Sequence, residues 1–207
     1  MGRCMAFVDG ENLLKRYESM AADGWGPRLT PGHFGQFLSK STHQPGRLVW
    51  NPFVVREVGT GPLLRVNYYT TAVGDANALE TLELDIAALT ADLVNTGMVM
   101  GAGSRTNLVP QVFKKQQRGQ KTKSVDINLC VDVLTQAYQS SVDDIVIVSG
   151  DGDFAPLIRQ TMSAGKRVHI AALSSGLSPR LRSISDHFID LDPVFFESND
   201  KGVATYR

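Results

Sequence analysis

Acidic residues at three places along the chain are the residues best suited to chemistry. Asp9 follows one short apolar segment, and Asp151 and Asp153 follow another. Asp126 lies near the start of a predicted helix, where the backbone dipole favours a negative charge. Clustered carboxylates raise one another's pKa unless a cation neutralises them, and oxygen ligands suit Mg²⁺ or Mn²⁺. The sequence therefore predicts a divalent metal site built from these acids.

Each acid also has an ordinary structural explanation. An Asp in front of a glycine, as at Asp9 and Asp151, is typical of turns and helix N-caps. Asp153 is explained equally well as the cap of the helix that follows it. The occurrence of all these acids together favours metal chemistry over coincidence.

The helical pattern around Asp126 predicts where its side chain lies. At about 100° per residue, Asp126 shares a helix face with Leu129 and Cys130. We therefore expect its carboxylate to lie over apolar packing and to need a partner there. Asp132 lies on another side of the helix, and we expect it to be structural.

Predicted strands and helices alternate along the chain, which is the pattern of a mostly parallel sheet covered on both faces. Strands are predicted at residues 4–8, 63–70, 145–148, 168–172 and 187–191, with weaker candidates at 98–100 and 109–113. Helices are predicted at residues 11–20, from 77 to near 97, 124–139, 154–163 and 178–185. Proline and glycine punctuate residues 22–62, an irregular segment for which we expect a short helix at 33–40 and a hairpin. We expect residues 193–207 to form a tail.

Length and composition limit the class of protein. The 207 residues, 43% of them hydrophobic, predict one α/β domain over residues 1–192. The formal net charge of zero means that a nucleic acid would have to be held by a local basic patch. Two cysteines without zinc spacing and the lack of a signal-peptide pattern favour a reduced, cytoplasmic protein. We expect no membrane partner, and no GxSxG, P-loop or GxGxxG motif is present.

Three segments, in this order, resemble the NYN domain family of PIN-like ribonucleases, in its LabA-like group. They are FVDGENL (7–13), KSVDINLCVDVL (123–134) and IVSGDGDFAPLI (147–158). The resemblance spans residues 4–190, and Ser124 stands where the family usually has glycine. It implies a PIN-like three-layer α/β/α sandwich and endonucleolytic cleavage of RNA that depends on Mg²⁺ or Mn²⁺.

The resemblance assigns roles to residues that match the family's three segments. The catalytic acids are then Asp9, Asp126, Asp151 and Asp153, of which the first three are the metal ligands. Asn12 and Ser149 become hydrogen-bond partners that hold those ligands in place.

A basic segment without acids, residues 114–123, predicts a mobile loop. It is either simply solvated or a clamp for the RNA backbone. The residues predicted to bind RNA are Lys114, Lys115, Arg118, Lys121 and Lys123. Tyr68 and Tyr69 either pack in the core or stack on bases of single-stranded or loop RNA.

The sequence leaves two other functions open. One is an RNA-binding or regulatory NYN module with negligible turnover, and the other is a metal-dependent phosphohydrolase of small nucleotides. The oligomeric state also stays open, a homo-oligomer included.

Overall fold

A six-stranded, all-parallel sheet lies at the centre of the computed structural model, which describes residues 2–26, 35–38, 47–50, 63–95, 108–116, 123–139 and 142–197. The strands are β1 (Cys4–Asp9), β2 (Gly35–Leu38), β3 (Arg47–Trp50), β4 (Leu63–Val73), β5 (Leu108–Lys115), β6 (Asp144–Val148), β7 (Arg167–Ala172) and β8 (His187–Asp190). The helices are α1 (Gly10–Ala22), α2 (Ala76–Asn95), α3 (Ser124–Tyr138), α4 (Ala155–Ser163), α5 (Pro179–Ile184) and α6 (Asp192–Phe195). The predicted α/β class and mostly parallel sheet are confirmed.

The order of the strands creates one point where the chain changes direction across the sheet. The order is β5-β4-β1-β6-β7-β8, and every neighbouring pair is parallel. The chain therefore proceeds from β1 to one edge through β4 and β5, and later returns beside β1 to fill the other half. In open α/β sheets, ligands bind at the carboxyl ends of the strands where this reversal occurs. Here that point lies between β1 and β6.

Both faces of the sheet are covered, which the alternating side chains of β1 show directly. Cys4, Ala6 and Val8 pack into a core shared with α1, α2 and α6. Met5 and Phe7 pack into the opposite core, with α3, α4 and α5. Because successive residues of a strand point to opposite faces, a strand buried on both faces is apolar throughout. Because helices cover both faces of the sheet, polar side chains can lie at the edge formed by the carboxyl ends of the strands.

Two predictions about the less regular segments are wrong. Within residues 33–40, the four residues of β2 form a strand instead of a helix, and β2 pairs antiparallel with β3 in a separate two-stranded sheet. This pairing agrees with the expected hairpin. The predicted tail begins too early, because the chain stays packed against the fold up to Phe196. Phe195 and Phe196 are buried beneath α1, and the ring of Phe196 stacks on that of Tyr17 with 5.0 Å between ring centroids. Aromatic burial thus extends the packed fold beyond its predicted end.

Two further predictions can be placed only in part. The predicted strand at residues 98–100 lies outside the described residues, whereas the candidate at 109–113 is confirmed as part of β5. In the described ranges, no helix combines the length and the apolar character needed to cross a membrane.

Candidate functional site

The parallel sheet brings Asp9 and Ser149 to the same edge. Asp9 is the last residue of β1, and Ser149 directly follows β6, the neighbouring strand, in which Val148 pairs with Val8. The hydroxyl Oγ of Ser149 donates a hydrogen bond to Oδ2 of Asp9 at 3.1 Å. Residues 140 positions apart in the sequence are therefore in direct contact at the point where the chain reverses direction.

Asp9 also caps the helix that follows it. Its Oδ1 accepts a hydrogen bond from the backbone N–H of Asn12 at 3.0 Å, which satisfies one of the unpaired donors of the first turn of α1. The side-chain oxygen of Asn12 in turn accepts a hydrogen bond from the N–H of Gly150 at 3.3 Å. Asn12, through its backbone N–H, and Ser149, through its hydroxyl, thus contact Asp9, and the Asn12 side chain connects α1 to the loop after β6.

The position of Asp151 is compatible with both roles that the sequence left open, a structural cap and a metal ligand. Its backbone N–H donates to Oγ of Ser149 at 3.2 Å. Its own Oδ1 accepts from the N–H of Asp153 at 3.0 Å and caps a short 3₁₀ turn, Gly152–Phe154. Because a carboxylate has two oxygens and several lone pairs, this capping bond leaves Asp151 able to bind a cation as well.

Burial makes Asp9 an unusual carboxylate. The residue is only 4% exposed, and loss of hydration raises its pKa from 3.8 to about 7. The hydrogen bonds from Asn12 and Ser149 pull the pKa down, while the charges of Asp126 and Glu11 push it up. Asp9 therefore lies close enough to Asp126 for their charges to interact.

Asp126 couples the remaining acids. Partial burial raises its pKa first, and the charges of Asp151, Glu11 and Asp153 raise it further, against the opposing effect of Lys123. We call the set of Asp9, Glu11, Asp126, Asp151 and Asp153 the acid cluster. The four acids predicted from three separate segments thus belong to one electrostatically coupled group. Asp126 is exposed as a residue in the first turn of α3 although its carboxylate is partly screened from water, so it lies at the margin of the packed region and not over the apolar core as expected.

Glu11 is the member of the acid cluster that the sequence reasoning missed. It lies in the first turn of α1, two residues after Asp9. One of its carboxylate oxygens, Oε1, accepts a hydrogen bond from Nζ of Lys115 at 2.6 Å and another from the hydroxyl of Thr71. Its position directly behind Asp9 at a strand-to-helix junction was the signal available in the sequence.

The basic residues do not form one mobile loop. Lys114 and Lys115 belong to β5, and Lys115, whose side chain is 15% exposed, forms an ion pair with Glu11. The predicted loop is therefore wrong at these two positions. Lys123 is exposed just before α3 and lies near enough to Asp126 to affect its pKa. Arg118 and Lys121 lie outside the described residues.

Tyr68 and Tyr69 are core residues. Both are completely buried on β4. The hydroxyl of Tyr69 donates a hydrogen bond to Oδ2 of Asp132 at 2.6 Å, and burial raises the pKa of Tyr69. Asp132 is therefore structural, as expected, and the packing explanation for the tyrosines is confirmed.

The acid cluster fits a hard divalent cation by the chemistry of its donors. Its side chains offer only oxygen ligands, which suit Mg²⁺ or Mn²⁺ better than softer metals. Among the described residues, however, no three His, Cys, Asp or Glu side chains lie close enough together to hold one metal ion, so the acid cluster matches a hard cation in the chemistry of its donors and not in the geometry described.

Comparison with known proteins identifies the family. The sequence matches the NYN domain family over residues 3–192. It is 28% identical over 109 residues to the low amplitude and bright protein LabA of Synechococcus elongatus, a match that covers 49% of this chain and 56% of LabA. An uncharacterized protein of Methanocaldococcus jannaschii is 31% identical over 77 residues, which is 37% of this chain and 32% of that protein. The chain thus spans about a third to a half of the length of these curated relatives.

A solved structure shows the same fold at low sequence identity. It is a protein of unknown function from Vibrio parahaemolyticus, with a TM-score of 0.52 and 18% identity, and the match covers 95% of this chain and 96% of that one. The likeness concerns the fold alone. The family match over residues 3–192 shows that the chain belongs to the NYN domain family.

Proposed function

We propose that this protein is a metal-dependent endoribonuclease that hydrolyses RNA phosphodiester bonds at the acid cluster. The observation that carries the proposal is the state of Asp9, a buried carboxylate with a pKa of about 7 beside the charge of Asp126. A buried carboxylate without a counter-charge is energetically costly. A divalent cation would remove that cost, and the carboxyl edge between β1 and β6 is where this class of sheet binds its ligands.

The proposed mechanism divides the work among the residues of the site. Asp9, Asp126 and Asp151 would hold Mg²⁺ or Mn²⁺, which when bound supplies a Lewis acid for the phosphate and lowers the pKa of the attacking water. Ser149 and Asn12 fix the orientation of Asp9 through the hydrogen bonds to its carboxylate and to the adjoining loop. Asp153, which is exposed, would accept a hydrogen bond from that water and orient it.

The substrate must approach an edge that carries five acids. Lys123 is exposed beside Asp126 and offers a positive charge to an RNA backbone. Lys114, Arg118 and Lys121 remain predicted RNA contacts, whereas Lys115 already pairs with Glu11. We propose single-stranded or loop RNA as the substrate, because its backbone can enter an edge site that a regular duplex cannot easily reach. Both described cysteines are free, which is consistent with the cytoplasmic location that we propose.

The proposal is tested with purified protein and end-labelled RNA, structured and unstructured, in Mn²⁺, Mg²⁺ or chelator. Wild type should cut RNA internally with either metal and not with chelator. Asp9→Asn and Asp151→Asn, which keep the size of each side chain, should lose at least about 100-fold in rate, since each removes a charge that the site needs. The matched control is Asp23→Asn, at the far end of α1 and roughly 20 Å from Asp9 along the helix. Cleavage that persists unchanged in both site variants would end the proposal.

An RNA-binding module with negligible turnover is the second candidate. It is favoured by the zero net charge and by the engagement of Lys115 with Glu11, both of which weaken the electrostatic attraction between the protein and RNA. Salt-dependent RNA binding without cleavage in any metal would support this candidate. Release of phosphate from mononucleotides, with RNA left intact, would instead indicate a small-nucleotide phosphohydrolase.

A further inference from the structure

The loop between β7 and α5, residues 173–178, packs directly on the loop that carries Asp151. We call residues 149–153, which follow β6, the acid loop. The backbone N–H of Ser178 donates a hydrogen bond to the carbonyl oxygen of Gly150 at 3.0 Å. The two loops are therefore joined through their backbones at the carboxyl edge of the sheet, although α4 and β7 separate them in the sequence.

The glycines on either side of Asp151 are explained by this packing. Neither Gly150 nor Gly152 has a positive φ, so the backbone conformation does not require glycine at either position. A Cβ on Gly150 would lie 3.0 Å from the carbonyl oxygen of Gly176, and a Cβ on Gly152 would lie 2.8 Å from Oγ of Ser178. Side chains at these positions would push the two loops apart. The glycines therefore allow the β7–α5 loop to lie close to the backbone of Asp151.

The β7–α5 loop is itself fixed to two helices. Gly176 has a φ of +79°, and a Cβ at that position would lie 2.1 Å from Cζ of Arg16, so the loop backbone lies against the guanidinium. Arg16 belongs to α1, the helix that Asp9 caps. The N–H of Ser174 donates a hydrogen bond of 2.8 Å to Oδ1 of Asp192, a buried carboxylate at the start of α6. The loop therefore contacts the acid loop from a position set by the surrounding fold.

We propose that the β7–α5 loop positions the acids of the acid loop, and that Ser178 is a positioning residue through its contact with Gly152. Ser178 is the N-cap of α5, but its side chain makes no capping hydrogen bond to that helix. Its side chain instead lies against the segment between Asp151 and Asp153. The directions of these two carboxylates therefore depend on where Ser178 holds Gly152. That these directions govern metal binding rests on the proposed function.

The test uses uncharged substitutions, which leave the charge of the site unchanged. Ser178→Val adds bulk against Gly152, whereas Ser178→Ala only removes the hydroxyl. Ser183→Val makes the same change as Ser178→Val at an exposed position of α5. The dissociation constant for Mn²⁺ is measured by calorimetry with the full chain, at a temperature at which circular dichroism shows every variant to be folded. We expect Ser178→Val to weaken Mn²⁺ binding about tenfold, as for other losses of support for a metal ligand. Ser178→Ala and Ser183→Val should stay within about twofold of wild type.

A second measurement does not depend on a metal. Amide NMR spectra recorded in chelator report on the backbone of Asp151 and Asp153, whose N–H donates to Oδ1 of Asp151. Displacement of the acid loop should shift both amide resonances in Ser178→Val and leave them in place in Ser178→Ala and Ser183→Val. A residue that only stabilises the fold would lower the melting temperature without changing these resonances or the affinity for Mn²⁺.

The outcomes separate this inference from the proposed function. Unchanged Mn²⁺ affinity and unchanged amide resonances in Ser178→Val, relative to Ser178→Ala, would overturn the inference. If Ser178→Val does not fold, Gly150→Ala takes its place, with its added methyl group against the carbonyl of Gly176 and with Asp153 as the amide observed. If wild type binds no Mn²⁺, the proposed function loses its cation, whereas the amide resonances still decide the inference.

Discussion

Replacing Asp9 with Asn should stabilise the protein at alkaline pH while abolishing the RNA cleavage that we propose. The unfolded chain releases the proton of Asp9 near the ordinary pKa of 3.8, whereas burial keeps it on the folded protein up to about pH 7. Between these values the folded state binds more protons than the unfolded state, so the free energy of unfolding falls as the pH rises. The contribution of Asp9 is fully present below pH 3.8 and is lost as the pH passes through about 7. Asn in the same place does not titrate and retains a hydrogen-bond acceptor for Asn12.

The size of the effect follows from the interval between the two pKa values. At about 1.4 kcal/mol per pH unit, the Asp9 contribution lost between about pH 5 and about pH 8 is at most about 3 kcal/mol. Because the effective dielectric constant around buried groups in proteins is higher than that of a dry interior, we expect about 2 kcal/mol. The stability of Asp9→Asn relative to wild type should therefore increase by about 2 kcal/mol across that range.

Urea unfolding in the presence of chelator, followed by circular dichroism at several pH values, measures this difference. Titrating groups that do not interact with Asp9 cancel in this difference, whereas the repulsion of Asp9 by Asp126 and Glu11 is part of what it measures. Asp23→Asn, at an exposed position at the opposite end of α1, serves as the control for the loss of one carboxylate away from the acid cluster. A difference between Asp9→Asn and wild type that is constant from acid to alkaline pH would refute the reasoning, because it would mean that the charge of Asp9 is not disfavoured in the folded state.

Two other substitutions test the packing that positions the site, each by urea unfolding near pH 7. Gly10→Ala should lower the free energy of unfolding by about 2–3 kcal/mol through overpacking, because the added Cβ would lie 2.4 Å from Cε1 of the buried Tyr68. A loss of stability no larger than that caused by a substitution at an exposed position would contradict this close approach. Asp144→Asn should cost about 3 kcal/mol, because this fully buried carboxylate accepts two hydrogen bonds of 2.7 Å from Arg167 and contacts Nε2 of His169 at 2.9 Å. These partners hold the pKa of Asp144 below its usual value. The contribution of the Asp144 charge to the free energy of unfolding is therefore present at neutral pH and disappears as the pH falls through the folded-state pKa. A loss of stability in Asp144→Asn that is as large in acid as at pH 7 would contradict this reasoning.

The position of the acids could be predicted because local patterns determine it. A run such as residues 145–148 can only be a strand buried on both faces when β and α segments alternate around it. Parallel strands then place the residues that follow them at one edge, which is why Asp9 and the Asp151 loop meet there. This prediction needs no knowledge of contacts between residues that are distant in the sequence.

Features that depend on distant contacts could not be predicted in this way. Lys115 reads as part of a basic loop until its partner is known, and that partner, Glu11, lies 104 positions earlier in the sequence. The ion pair and the pairing of β5 with β4 extend the strand beyond its apolar residues. The exposure of Asp126 likewise depends on how α3 lies on the sheet, which periodicity along the helix does not specify.

The central claim is that Asp9, Asp126 and Asp151 together hold a divalent cation. A crystal soaked in Mn²⁺ and measured for anomalous scattering tests this most directly. We expect an anomalous peak at the carboxyl edge between β1 and β6, within about 2.0–2.4 Å of carboxylate oxygens from these three residues, and its disappearance in Asp9→Asn. Peaks only at other positions, or a peak at this edge whose ligands do not include Asp9 and Asp151, would contradict the claim.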